Sequence, residues 1–192
     1  MPDTRPERRR LSAADWTHAA LDAIAEGGLA AAAVEPLAKR LGATKGSFYW
    51  HFRDRRDLLD RALETWEREH TEAVIEAAEK AQRAPDRLAE LLGVVFGAIG
   101  DPLELALLAA AGDPTVGPAV VRVTERRVEY VAGLYRAAGL DDEAARSRAV
   151  AAVSVYLGHA QLAAAAPGVL PAGAEWERHL ERLGRELAPD RS

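Results

Sequence analysis

Residues 44–52, Thr44-Lys45-Gly46-Ser47-Phe48-Tyr49-Trp50-His51-Phe52, hold most of what this chain offers for touching another molecule. The sequence has four Trp, four Tyr and three Phe, and four of these fall between Phe48 and Phe52, with Arg53, Arg55 and Arg56 directly behind. On a short helix Phe48 and Phe52 are four apart and share one face, which the spacing turns inward against Leu37, Leu41 and Trp16 or Ile24. Tyr49, Trp50 and His51 are left to the outer and flanking faces. There a phenol, an indole N–H and an imidazole can reach phosphates, and the rings can touch thymine methyls. Thr44, Lys45, Gly46 and Ser47 occupy the helix start, where free N–H groups favour a phosphate, and Gly46 permits close approach of a backbone. These groups suit the surface of a nucleic-acid duplex.

The charge distribution supports that chemistry. The formal charge is −5 over 192 residues, but the acid is unevenly placed. Residues 36–56 carry six basic side chains (Lys39, Arg40, Lys45, Arg53, Arg55, Arg56) against the single acid Asp54. A basic patch on an acidic protein marks a local anionic partner.

The elements that must position this patch read as helices. Ala dominates the apolar residues, β-branched runs are scarce and no stretch alternates for long, so the fold class is all-α. Ser12 and Asp15 form a capping-box pattern, and Leu11 and Trp16 are spaced for a hydrophobic staple. A first helix then runs to Glu26, with Trp16, Ala20, Leu21 and Ile24 inward, and stops at Gly27-Gly28. A second spans 34–41 and ends at Gly42, and a third spans 45–51, giving helix-turn-helix spacing over 34–51. Asp54 caps a long fourth helix whose Leu59, Leu63, Trp66, His70, Ala73 and Ala77 form one stripe. Helices over 86–99, 102–111, 115–138, 142–166 and 173–187 complete nine. Gly100-Asp101-Pro102 and Gly112-Asp113-Pro114 read as helix punctuation, Asp as N-cap and Pro at the first helical position.

LAKRLGATKGSFYWHFRDRRDLLDRAL, residues 37–63, resembles the helix-turn-helix of the TetR family of transcriptional regulators, and the likeness extends over 12–64. The resemblance implies a nine-helix, TetR-like protein: an N-terminal arm and three-helix DNA-binding head over residues 1–54, then a helical ligand-binding and dimerisation domain over 55–192, with 55–80 as connector. It implies a homodimer on a pseudo-palindromic operator in double-stranded DNA, acting as a repressor released by a small-molecule effector. Carried over residue by residue, Lys39, Thr44, Lys45, Gly46, Ser47, Tyr49, Trp50 and His51 would face the operator, with base reading by Lys45, Ser47 and Tyr49, and Arg55 would hold a phosphate. Two positions depart from the family pattern. The second helix begins with Ala32-Ala33-Val34 rather than with a capping Thr or Ser, and Glu35 stands where a neutral or basic residue usually meets the DNA backbone. Arg8-Arg9-Arg10 reads either as a DNA-contacting arm or as a solvated tail.

In the second half, Trp66, His70, Phe96, Tyr130, Tyr135, Tyr156 and His159 are the groups available to line a pocket for a small, mostly apolar ligand. Residues 149–166 carry no formal charge across eighteen positions. With the stripe of Trp176, Leu180, Leu183 and Leu187 they supply a dimer face, for which Val150, Val153, Leu157, Trp176, Leu180 and Leu183 are the candidates. That run approaches membrane-spanning length, but its Ala content, Ser154, His159 and Gln161 favour burial in protein.

Other classes fare worse. There is no Cys, which removes thiolate chemistry and Cys metal sites, and no metal or cofactor is expected. No P-loop, nucleophile elbow, HExxH or dinucleotide-binding glycine pattern occurs, and the histidines are scattered, so no enzyme is expected. The N-terminus has no apolar leader, which fits a cytoplasmic protein without a membrane partner. The remaining alternative is a helical ligand- or partner-binding module with a degenerate DNA head.

Overall fold

A computed structural model describes residues 10–81, 84–97 and 99–188, so Arg8 and Arg9 of the basic arm lie outside the described residues. Within them every regular element is helical. We number nine helices: α1 Ala13–Gly27, α2 Val34–Arg40, α3 Lys45–Tyr49, α4 from Arg55 to Ala78, α5 Ala84–Gly97, α6 Pro102–Ala109, α7 Val116–Ala137, α8 Asp142–Ala165 and α9 Ala174–Leu187. The fifth runs two residues ahead of the expected 86–99, and the third is two residues shorter than expected.

The head is built from local signals. Ser12 accepts a hydrogen bond from the Asp15 N–H at 3.2 Å while Asp15 accepts from the Ser12 N–H at 2.7 Å, closing the capping box. Between α2 and α3 the chain reverses at Gly42, φ +60°, a left-handed conformation that costs glycine least. There the Ala43 N–H reaches back to the Ala38 carbonyl at 2.8 Å. Trp16, Ile24, Leu37, Phe48 and Phe52 close the core beneath.

That core does not stop at the head. Leu58, Leu59, Leu63 and Trp66 of α4, Leu103 and Leu107 of α6, and Val116, Val120 and Val123 of α7 belong to the same buried cluster. A second cluster joins Ala78 of α4, Leu88 and Leu91 of α5, Val128, Val131 and Tyr135 of α7, and Ala145, Ala149 and Val153 of α8.

α4 is not a uniform helix. It runs as an α-helix over Arg55–Glu67, as a π-turn over Arg68–Glu72 and again as an α-helix over Ala73–Ala78. A π-turn inserts one residue into the helical register. Leu59, Leu63 and Trp66 are buried as the sequence pattern requires, but from the π-turn onward the buried positions are Thr71, Ile75 and Ala78, and Ala73 is exposed. The expected stripe through His70, Ala73 and Ala77 is therefore displaced by one residue.

α8 buries one face through Ala145, Ala149, Ala152, Val153 and Ala160, while Val150, Ser154, Gly158 and Leu162 are exposed. Among the described residues no single helix is long and apolar enough to cross a membrane.

Candidate DNA interface and effector cleft

α3 presents two opposite faces. Phe48 and Phe52 are buried; the Phe48 ring meets Trp16 edge-on at 5.4 Å and stacks with Phe52 at 5.3 Å. Tyr49 and Trp50 are 61% and 81% exposed, which is unusual for groups whose burial is worth more than that of most side chains. Trp50 and His51 lie just past the last helical residue, in a turn where the Phe48 carbonyl accepts from the N–H groups of both His51 (2.9 Å) and Phe52 (3.0 Å). Thr44 caps α3, its hydroxyl oxygen accepting from the Ser47 N–H at 3.2 Å. Among the described residues a Cβ added at Gly46 would meet only Thr44 Oγ1, at 3.6 Å, so none of them demands glycine there. Arg10, Thr44, Gly46, Ser47, Trp50 and His51 share one shallow concavity.

Most of the basic residues around this face carry acids of their own. Lys45 Nζ lies 3.0 Å from Glu35 of α2. Arg40 forks onto Glu26 at 2.6 and 2.7 Å, while Arg53 and Arg56 lie beside Asp57 and Asp60. Lys39 is exposed and makes no ion pair among the described residues. Arg55, expected at a phosphate, is engaged elsewhere: its Nε donates to the Ala32 carbonyl at 2.7 Å and its Nη2 to the Leu29 carbonyl at 2.6 Å. Ala33 leaves α2 without a side-chain cap, and Arg55 instead fixes the loop that leads into it.

The second half contains a cleft beneath the π-turn, with a cavity volume of about 70 Å³. Its walls are Val74, Ile75, Leu88, Leu91, Leu92, Val95, Val131, Ala152 and Val153, and its polar groups come from His70, Thr71, Arg127, Tyr130 and Tyr156. Three of the seven expected pocket residues, His70, Tyr130 and Tyr156, therefore meet there. The other four do not line it. Trp66 is packed in the first core. Tyr135 is fully buried and its hydroxyl donates to the Leu187 carbonyl at 2.6 Å, anchoring α9. Phe96 and His159 lie in a neighbouring aromatic group with Trp176, at 6.3 and 6.1 Å. There the two imidazole Nε2 atoms of His159 and His179 are 2.9 Å apart.

Sequence reasoning missed the cleft's main polar anchor. Arg127 forks onto Glu104 at 2.5 and 3.0 Å and donates to Thr71 Oγ1 at 3.1 Å and to the His70 carbonyl at 3.3 Å. Glu104 is 3% exposed. One guanidinium thus holds two residues of the π-turn against α6. The signal was readable: Arg127 stands four residues from Val123 and from Val131, on the buried stripe of α7, where a charge requires a partner.

Asp101 does more than punctuate. One carboxylate oxygen caps α6 through the Leu103 N–H at 2.9 Å, and the other lies 3.1 Å from His70 Nδ1. The bond to Asp101 raises the His70 pKa above its ordinary 6.5, and the same bond lowers that of Asp101 below its ordinary 3.8. The imidazolium contribution to stability is complete below the unfolded value and is lost as pH rises through the raised one. The carboxylate contribution is present above its unfolded value and is lost as pH falls through the depressed one. We therefore expect the pair to stabilise most between about pH 4 and 6.5. In melts recorded against pH, the gap between wild type and His70→Gln should be widest in that window and narrow above it; a gap independent of pH would rule this out.

The dimer candidates also divide. Val150 is 47% exposed, but Val153 faces the cleft of its own subunit and Leu157 packs against the second core. Leu180 and Leu183 line a groove together with Leu88, Leu92 and Phe96 of α5. α9 is tied to its own chain through Leu187, and Val153 is buried within that chain.

Comparison with known proteins places this geometry. Residues 17–62 match the family model described as bacterial regulatory proteins, tetR family. Over those residues the chain carries a TetR-type head. The architecture extends the likeness over its whole length. A transcriptional regulator from Rhodococcus sp. Rha1 superposes with a TM-score of 0.74 at 20% identity, covering 93% of this chain and 96% of its own. A TetR transcriptional regulator from Legionella pneumophila gives 0.74 at 14% identity, covering 98% and 100%. A TetR-family regulator from Streptomyces coelicolor gives 0.75 at 18% identity, covering 96% and 92%. No curated protein matches the chain. The family model thus matches the head, and the solved structures show that the rest of the chain shares their fold.

Proposed function

We propose that this protein is a cytoplasmic, dimeric repressor of the TetR family. Residues 1–54 form its DNA head and residues 55–192 its effector and dimerisation domain; it binds a pseudo-palindromic operator and is released by a small, mostly apolar ligand held in the cleft beneath the π-turn. The observation that carries the DNA half is the exposure of Tyr49 and Trp50 opposite the buried Phe48 and Phe52. Lys45, Ser47 and Tyr49 read base edges; Lys39, Thr44, Gly46, Trp50 and His51 meet the backbone, and Arg53 takes the phosphate role first given to Arg55. The two-fold axis brings together the exposed strip of α8, Val150, Ser154, Gly158 and Leu162, where small uncharged residues allow close approach. Selection of bound fragments from a random duplex pool tests the reading. A two-fold symmetric motif with half-sites about one helical turn apart supports it, whereas recovery of no motif favours a helical module with a degenerate head.

The Glu35–Lys45 pair yields a separate expectation. Both partners are exposed, at 78% and 58%, so the pair contributes at most about 1 kcal/mol to folding. On DNA, however, it sets a carboxylate near the phosphates and occupies a candidate base-reading ammonium. Glu35→Gln should tighten operator binding about three- to tenfold at low salt with little change in melting temperature. Unchanged or weakened binding in a gel-shift titration would show that Glu35 orients Lys45 rather than masking it.

A further inference from the structure

The charges at the polar end of the cleft are already matched. Arg127 is held by both oxygens of Glu104, and His70 by Asp101. The flat guanidinium of Arg127 lies over the rings of Trp66 and Tyr156, both at 5.9 Å, and its remaining bonds go to Thr71 and the His70 carbonyl. An anionic group entering the cleft would have to take Arg127 from Glu104, leaving a carboxylate buried without its partner, at a cost that exceeds the gain. A cationic group fares no better, because among the described residues no carboxylate lines the cleft.

The hydroxyl groups are what remain. The Tyr130 hydroxyl is buried with the Glu79 carboxylate near it but not placed to close a well-formed hydrogen bond, a state that costs free energy until a better-placed acceptor arrives. Burial, with the Glu79 carboxylate nearby, pushes its pKa up to about 12, and burial does the same for Tyr156. Both remain proton donors at any physiological pH. The other lining groups are hydrocarbon, apart from Thr71, which is engaged by Arg127.

We infer that the cleft takes an uncharged, largely hydrocarbon molecule bearing one hydrogen-bond-accepting oxygen, such as a ketone or ester, received by the Tyr130 hydroxyl. The inference rests on reading this cleft as the effector site, and it adds that charged amphiphiles are rejected by ion pairs already made. The cavity is small as it stands, so the occupant enters by spreading α5 from α4 and α7, the helices that supply most of its walls.

The test uses four probes of one ring system on the full-length protein: 2-acetylnaphthalene, 2-ethylnaphthalene, 2-naphthoate and 2-naphthylmethylamine, titrated by ligand-observed NMR. The ketone should bind at least threefold more tightly than the ethyl compound, and the carboxylate and the ammonium at least tenfold more weakly than the ketone. Tyr130→Phe, which removes only the hydroxyl, should bring the ketone within twofold of the ethyl compound and leave the latter unchanged. A charged probe that binds as tightly as the ketone, or a ketone preference that survives Tyr130→Phe, overturns the ligand class while leaving the cleft an effector site. Binding of no probe overturns the effector-site reading itself.

Discussion

Arg127→Met is expected to cost about 3–5 kcal/mol of folding stability, the usual consequence of leaving one member of a buried ion pair without the other. Glu104 is 3% exposed and gives both of its oxygens to Arg127, so it can be neither solvated nor re-paired in place. In a chain of this size that corresponds to a melting temperature lower by roughly 10 °C or more. The companion experiment is the double substitution Arg127→Met with Glu104→Leu, which removes both charges and keeps the volume. It should recover most of the loss, because a buried pair stabilises little relative to well-packed hydrocarbon. Melts must be made at one protein concentration, so that any self-association weighs equally on both variants. Equal melting of the single and double variants would mean that Glu104 finds another route to neutrality. The single variant also frees Thr71 and the His70 carbonyl, so the π-turn should loosen and exchange its amide protons faster than in wild type.

Phe48→Ala is the second large effect. The ring is fully buried between Trp16 and Phe52, and truncating a buried Phe typically costs about 3–5 kcal/mol, including the cavity left behind. DNA binding should disappear with it, since α3 has little besides Phe48 and Phe52 to hold it against the head. The informative contrast is Tyr49→Ala, one residue along. Tyr49 is 61% exposed, so this substitution should change stability by less than about 0.5 kcal/mol and still weaken operator binding by tenfold or more. If urea titration shows the two variants equally destabilised, the inward and outward faces of α3 have been assigned wrongly. If Tyr49→Ala binds DNA like wild type, Tyr49 does not read the operator.

The head was legible in the sequence because its determinants are local. A capping box spans four residues, a left-handed reversal needs one glycine, and Phe48 and Phe52 are one helical turn apart. The cleft was legible only by residue type. Aromatic and imidazole side chains announce that a cavity can be lined, but not which of them turn toward it, and Tyr135 and Trp66 are claimed by contacts with residues far along the chain. The π-turn left no local mark. It is held by Arg127 from a helix more than fifty residues away, and its one-residue displacement put Thr71 where the stripe had placed His70. Glu104 and Asp101 were hidden for a related reason, since each sits in a segment that reads as ordinary helix start until its partner is known. That Val153 is buried and Val150 exposed was not legible either, because a charge-free helix gives no indication of which side its own chain covers.

The continuous core beneath α1, α4, α6 and the start of α7 limits how this protein can be recombined. Trp16 and Ile24 pack in one cluster with Leu103, Leu107, Val116 and Val120, so the proposed DNA-binding head and the part that holds α6 share an interior rather than a surface. Cutting after residue 54 would leave Trp16 and its neighbours facing water where α4, α6 and α7 had been. A chimera carrying this head on another regulator's body inherits that exposed interior unless the face of α1 is redesigned to fit the new α6. Operator preference in this chain is therefore best exchanged by replacing only the outward side chains of α2 and α3, with everything that Trp16 touches left as it is.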